Sequence, residues 1–230
     1  MRTLSFLLFA TSLAAQGLPP QPVPPQNPIT PQKAILGKLL FWEEQMSSNN
    51  RVPCAPCHTF GPGGGDLRRV VHPGNDGVTP SPDDTFGSPG TVRSDTDNDY
   101  LRDPRFGLQA QVTRRASPTM FTAAWFPQVF WDGRAGSTFV DPDTGAVLIP
   151  NGGALENQAL APIVASDEMG HDGRTFAEAT TKLVSVVPMA LATNLPSDMA
   201  TAVAGGGSSR EPFPAGVGSP GSSAGRNPFA

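Results

Sequence analysis

Cys54-Ala55-Pro56-Cys57-His58 contains both cysteines of the chain and one of its three histidines. No other stretch limits the fold so strongly. Two thiols three residues apart, on the first turn of a helix, can both add to the vinyl groups of one haem, and the next histidine is then placed to ligate the iron. Three other chemistries compete for the same residues. A thioredoxin-like dithiol belongs near a βαβ pattern, which the sequence lacks. A zinc site needs about four nitrogen or sulfur ligands, and only two cysteines and three scattered histidines exist. A plain disulfide leaves the adjacent His58 to coincidence. One covalent haem c is therefore the expectation.

Export points the same way. Arg2 precedes an apolar run from Leu4 to Leu13, followed by Ala14 and Ala15, which is the order of a secretory signal peptide over residues 1–15. The run is too short to cross a bilayer. A soluble, exported, periplasmic protein is expected, in an oxidising compartment. A buried N-terminal helix is the plainer alternative. A net charge of −4 argues against nucleic acid.

Gly 25 and Pro 26 of 230 residues together exceed a fifth of the chain, against an average of roughly 12%. They leave little room for long regular elements. Residues 16–30 read as an extended Pro-rich linker. Thr30 caps a helix with Pro31 at its first position, with Ile35, Leu39, Trp42 and Met46 on one face. Residues 61–104 are turn chemistry without apolar periodicity. Residues 154–163 suggest two helical turns ending at Pro162, and Thr175 with Glu178 forms a capping box. Ser197 caps a last helix. No alternating run reads as a strand. The expected fold is mainly α, a cytochrome c-like helical haem domain over residues 31–203 with long loops and few or no strands. Residues 204–230 form a low-complexity tail expected to be disordered.

A carrier needs a strong sixth iron ligand, whereas a peroxidase needs an accessible face with an acid/base group nearby. Candidate sixth ligands are His72, His171, Met120, Met169, Met189 and Met199. Each methionine read alone is a core residue.

Three stretches in this order, LGKLLFWEEQMSSNNRVPCAPCH, RRASPTMFTAAWFPQVFWDGRA and LENQALAPIVASDEMGH, resemble the bacterial di-haem cytochrome c peroxidase family, including its MauG-like branch. The resemblance covers about residues 31–200. It implies that Cys54 and Cys57 hold the haem, that His58 is its proximal ligand, and that Trp131 serves electron passage between two haems. Gln158 and Glu168 match the distal pair, with Glu168 moving protons; His72 matches a distal iron ligand, with His171 as the alternative. Without the family pattern Trp131 reads as a core aromatic, Gln158 as a helix-surface amide and Glu168 as a solvated charge. The resemblance further implies hydrogen peroxide as substrate, a small cytochrome c or copper protein as electron donor, a homodimer, and calcium. The calcium reading falls on Asp95–Asp99, which fails as an EF-hand because Tyr100 and Phe106 stand where glycine and glutamate belong. The family's second CxxCH is absent from the sequence, so a truncated product is expected. An electron-transfer protein with one haem, or an inactive remnant, is the second reading.

Overall fold

Thr30 caps the first helix as its sequence predicts, its hydroxyl oxygen accepting from Lys33 N at 3.2 Å. The computed structural model describes residues 17–204, so the readings for residues 1–15 and 205–230 lie outside the described residues. Helix α1 spans Pro31–Trp42, and the chain then tightens into a 3₁₀ turn over Glu44–Met46. The turn is anchored by Glu43, which is 1% exposed; its carboxylate accepts from Gln45 N, from Gln45 Nε2 and from Met189 N. Three donors compensate the burial of a charged group.

Helix α2 spans Ala154–Val164, α3 Phe176–Ser185 and α4 Ser197–Ala204. The capping box at Thr175 and Glu178 is present in α3. Pro162 lies inside the last turn of α2 and does not end it. Ser197 is the first residue of α4, where Ala200 N donates to Pro196 O.

The expectation of a mainly α fold with few or no strands is overturned. Among the described residues six short strands form three antiparallel pairs: β1 (Val70–His72) with β2 (Thr85–Gly87), β3 (Pro89–Val92) with β4 (Ala110–Val112), and β5 (Phe139–Val140) with β6 (Val147–Ile149). The fold is mixed. Strands of two to four residues are too short to display a period-two pattern, which needs roughly four to eight. Their pairing is carried by the backbone and by turns, to which hydrophobic periodicity is blind.

The main core lies where α1, α2, α3, α4 and the β5–β6 hairpin meet, around Leu40, Phe139, Ile149, Ile163, Leu183 and Met199. Met46 also belongs to it, but Trp42 of the expected buried face is 42% exposed. The helix stops at Trp42, so that residue's side is no longer covered by a further turn. The Pro-rich segment is held against the body of the molecule: Trp125 Nε1 donates to Pro19 O at 3.0 Å, and Asn27 Nδ2 donates to Glu156 Oε1 at 2.6 Å. No helix among the described residues is long and apolar enough to cross a membrane.

Candidate haem site

Residues 54–58 form one tight turn, in which Cys54 O accepts from both Cys57 N and His58 N. A longer helix does not follow, because Gly61 to Gly65 break away through a 3₁₀ turn with Gly63 and Gly64 at positive φ. At Gly64 (φ +68) a Cβ would lie 2.4 Å from the Thr119 hydroxyl, so the turn needs glycine for backbone and space alike. Segment 117–119 runs under the turn: the Ser117 hydroxyl donates to Cys57 O and also accepts from Asp66 N.

His58 is bonded through Nδ1 to Pro118 O at 3.1 Å. A carbonyl only accepts, so Nδ1 carries the proton and Nε2 keeps its lone pair. Burial lowers the His58 pKa, which favours this neutral form. Such a partner on the far nitrogen is what orients a metal-ligating imidazole. Both cysteines are free thiols. Burial, with the Cys57 and Glu168 charges behind it, pushes the Cys54 thiol up to about 12. The Arg68 guanidinium donates to Cys57 Sγ at 3.4 Å while pairing with Asp66 at 2.6 Å.

Glu168 lies on the turn after α2, near enough for its charge to act on Cys54. It makes no side-chain hydrogen bond among the described residues, and burial, then Asp167, pushes its carboxyl up to about 7, opposed by Arg134. The sequence alternative of a solvated charge does not describe it. The turn is pinned from two further directions. Ser48 N, six residues before Cys54, donates to Met169 O at 2.8 Å. The Arg174 guanidinium donates to Ile163 O at 2.9 Å and to Met169 O at 3.2 Å.

The other sequence candidates are placed differently. Gln158 is half-buried on α2. Trp131 is 85% exposed, which removes its reading as a core aromatic; the Arg115 guanidinium lies 5.0 Å from its ring centroid. Beside it Asp132 pairs with Arg115 at 2.6 Å and with Arg134 at 3.0 Å, and the Arg115 hydrogen bond holds its carboxyl down at about 2. His72 is buried in β1 against Phe106, and its Nδ1 accepts from Gly74 N at 3.0 Å. That bond leaves the proton on Nε2 of the neutral ring, the opposite tautomer to His58. Burial, with Arg114 and Arg105 behind it, lowers the His72 pKa. His171 meets the Ser48 hydroxyl through Nδ1 at 3.0 Å, and its Nε2 faces Glu178 at 3.9 Å. Met169, Met189 and Met199 are core residues, whereas Met120 is half-buried two positions after Pro118. At the acidic loop, Asp95 Oδ1 is occupied by Asp97 N and Asp99 N, and no group of three or more potential metal-ligating side chains occurs among the described residues.

The sequence reading missed Ser88, Arg134 and Thr91. Ser88 is 2% exposed and sits beside Cys57 and Asp66, yet its hydroxyl makes no hydrogen bond of ordinary geometry. Arg134 belongs to a motif already singled out for its tryptophan. Two free thiols, an imidazole whose Nε2 lone pair is left available by the Nδ1 bond, a buried hydroxyl without a hydrogen bond of ordinary geometry and a half-buried carboxyl without a side-chain partner fit a covalently held haem.

Among prosthetic groups, a c-type haem is the one this set of side chains fits. The family model for di-haem cytochrome c peroxidase matches residues 31–190, more than half of the chain. The chain belongs to that family. It is 27% identical over 180 residues to the methylamine utilization protein MauG of Methylophilus methylotrophus, covering 74% of this chain and 38% of that protein. It is 31% identical to MauG of Methylorubrum extorquens over 64% of this chain and 28% of that protein. With the cytochrome c551 peroxidase of Pseudomonas aeruginosa the identity is 30%, over 56% of this chain and 31% of the relative. The chain thus spans well under half the length of these relatives.

Proposed function

We propose that the chain is a peroxidatic haem domain that reduces hydrogen peroxide with electrons from a small cytochrome or copper protein, after export to the periplasm. The observation that carries this reading is the Glu168 carboxyl, half-buried without a side-chain hydrogen bond among the described residues, close enough to the CxxCH turn for its charge to act on Cys54, and pushed up to about 7. Perturbed, unpaired carboxyls of this kind are characteristic of general acids and bases.

Cys54 and Cys57 would hold one haem c by thioether bonds, and His58 would present Nε2 to the iron. When bound, the haem supplies the redox-active iron at which peroxide takes up electrons. Glu168 supplies the proton movement: its carboxylate oxygen accepts the proton of the near peroxide oxygen and returns it to the far oxygen, which leaves as water. Its raised pKa lets it hold and release that proton near neutral pH. Arg134, whose charge opposes the upward shift of Glu168, keeps the ionised form accessible. Trp131, on the surface, is suited to passing electrons between this domain and a second redox centre.

The test is a haem count per chain with absorption spectra before and after peroxide, on the parent protein and on Glu168→Gln. One covalent haem reacting with peroxide, and a rate about 10²-fold lower in the variant with haem content unchanged, supports the reading. Equal rates in the two proteins would sink the assignment of Glu168 and favour an electron carrier.

A further inference from the structure

We propose that Thr91 is the positioning residue for Glu168: its buried hydroxyl fixes the turn over residues 165–170 and thereby aims the carboxyl at the CxxCH turn. This rests on the reading of Glu168 as the proton-transferring group.

The pairing of β3 with β4 slips by one residue. Pro89 faces Val112 and Val92 faces Ala110, so Gly90 and Thr91 together oppose Gln111. This is a β-bulge, a device that re-aims side chains next to functional sites. Here it turns Thr91 N out of the ladder to donate to the carbonyl of Glu168 itself at 3.0 Å. The Thr91 hydroxyl, on a residue 1% exposed, lies 3.0 Å from Ser166 O and 2.9 Å from Gly170 O, so its single proton bonds one end of the turn or the other. Gln111 Nε2 donates to Ser166 O at 2.7 Å. The approach is close enough to require glycine at position 90, where a Cβ would lie 1.9 Å from Asp167 O.

Within the turn one carbonyl, Ala165 O, accepts from Glu168 N, Met169 N and Gly170 N. The turn therefore moves as a unit, and whatever holds its carbonyls sets where the Glu168 side chain starts. Ser48 ties it to the irregular segment leading into Cys54, and Thr91 ties its other side to the bulge. Thr91 touches neither thiol nor His58 by any hydrogen bond among the described residues, so its effect on chemistry passes through Glu168.

The experiment is a double-mutant cycle on the haem-loaded protein. Thr91→Val removes the hydroxyl and keeps the backbone N–H; it should slow the peroxide reaction about 10- to 100-fold, the scale of a small misplacement of a reacting group. It should also move the pH midpoint of the reaction downward, because a displaced carboxyl regains solvent and titrates nearer its ordinary value. Thr91→Ser, which keeps the hydroxyl, should recover most of the rate and the midpoint. In a Glu168→Gln background Thr91→Val should cost nothing further. An unchanged rate in Thr91→Val, or the same loss in both backgrounds, overturns the proposal while leaving Glu168 in its role. A parent-like rate for Glu168→Gln overturns both. If Thr91→Val yields no folded protein, Gln111→Leu removes the other donor to Ser166 O and must show the same dependence on Glu168; additivity there is equally fatal.

Discussion

Glu168 is most informative when its two states are compared. Its carboxyl, ordinarily near 4.5, titrates near 7 in the folded protein because burial disfavours the anion. Between those values the folded chain keeps a proton that the unfolded chain has released, so stability is greatest below about pH 4.5 and is lost as pH rises through 7. Glu168→Gln removes this dependence. The variant is expected to be more stable than the parent by about 2–3 kcal/mol at pH 8 and equal to it near pH 4, which urea unfolding at the two pH values measures. A higher urea midpoint for the parent at pH 8 contradicts the burial described here. The histidines make a parallel comparison. His58 and His72 are both neutral and buried to some degree, yet one gives its Nδ1 proton to a carbonyl and the other takes a backbone N–H on the same atom. Spacing alone singles out His58, because CxxCH places the imidazole directly after the second of two thiols three residues apart. It carries no signal for Thr91, whose importance comes from carbonyls some seventy-five residues away in the chain.

Caps are the elements' clearest sequence signals, and they succeed here because each is a local hydrogen bond. Thr175 Oγ1 accepts from Glu178 N at 3.2 Å, and Glu178 Oε2 accepts from Thr175 N at 2.6 Å. Thr175→Ala should lower stability by about 1 kcal/mol, read as a drop in thermal midpoint without a change in haem attachment. The start of α3 was readable on that ground alone, as was the start of α1 at Thr30. The strands were not. Residues 61–104 contain β1, β2 and β3, but a register slip and strands of three or four residues leave no alternation to detect. Pro162 misled by only two residues: it removes the N–H that would serve Gln158 O, yet the helix continues past it only to Val164. The site's frame was thus hidden in the part of the chain with least periodicity, while its chemical groups stood in plain motifs.

The whole molecule is asymmetric. Its apolar core is built by the four helices and the β5–β6 hairpin, whereas the strands from Val70 to Val112 contribute almost nothing buried and apolar except Val112. Phe139 belongs to that core and is 1% exposed; Phe139→Ala should cost about 3–5 kcal/mol, and a cooperative loss of the haem spectrum and helical signal at one lower temperature checks it. The haem-site turn draws on both halves at long range. His58 is held by a residue 60 positions later, Ser48 by His171 at a separation of 123, and Ser47 by Lys182 at 135. A chain delivered from its N-terminus therefore presents its two cysteines well before the segments that enclose them exist. These long-range bonds set an order: the two thiols are open when first presented, and the turn around them is fastened only once Pro118, His171 and Lys182 have followed.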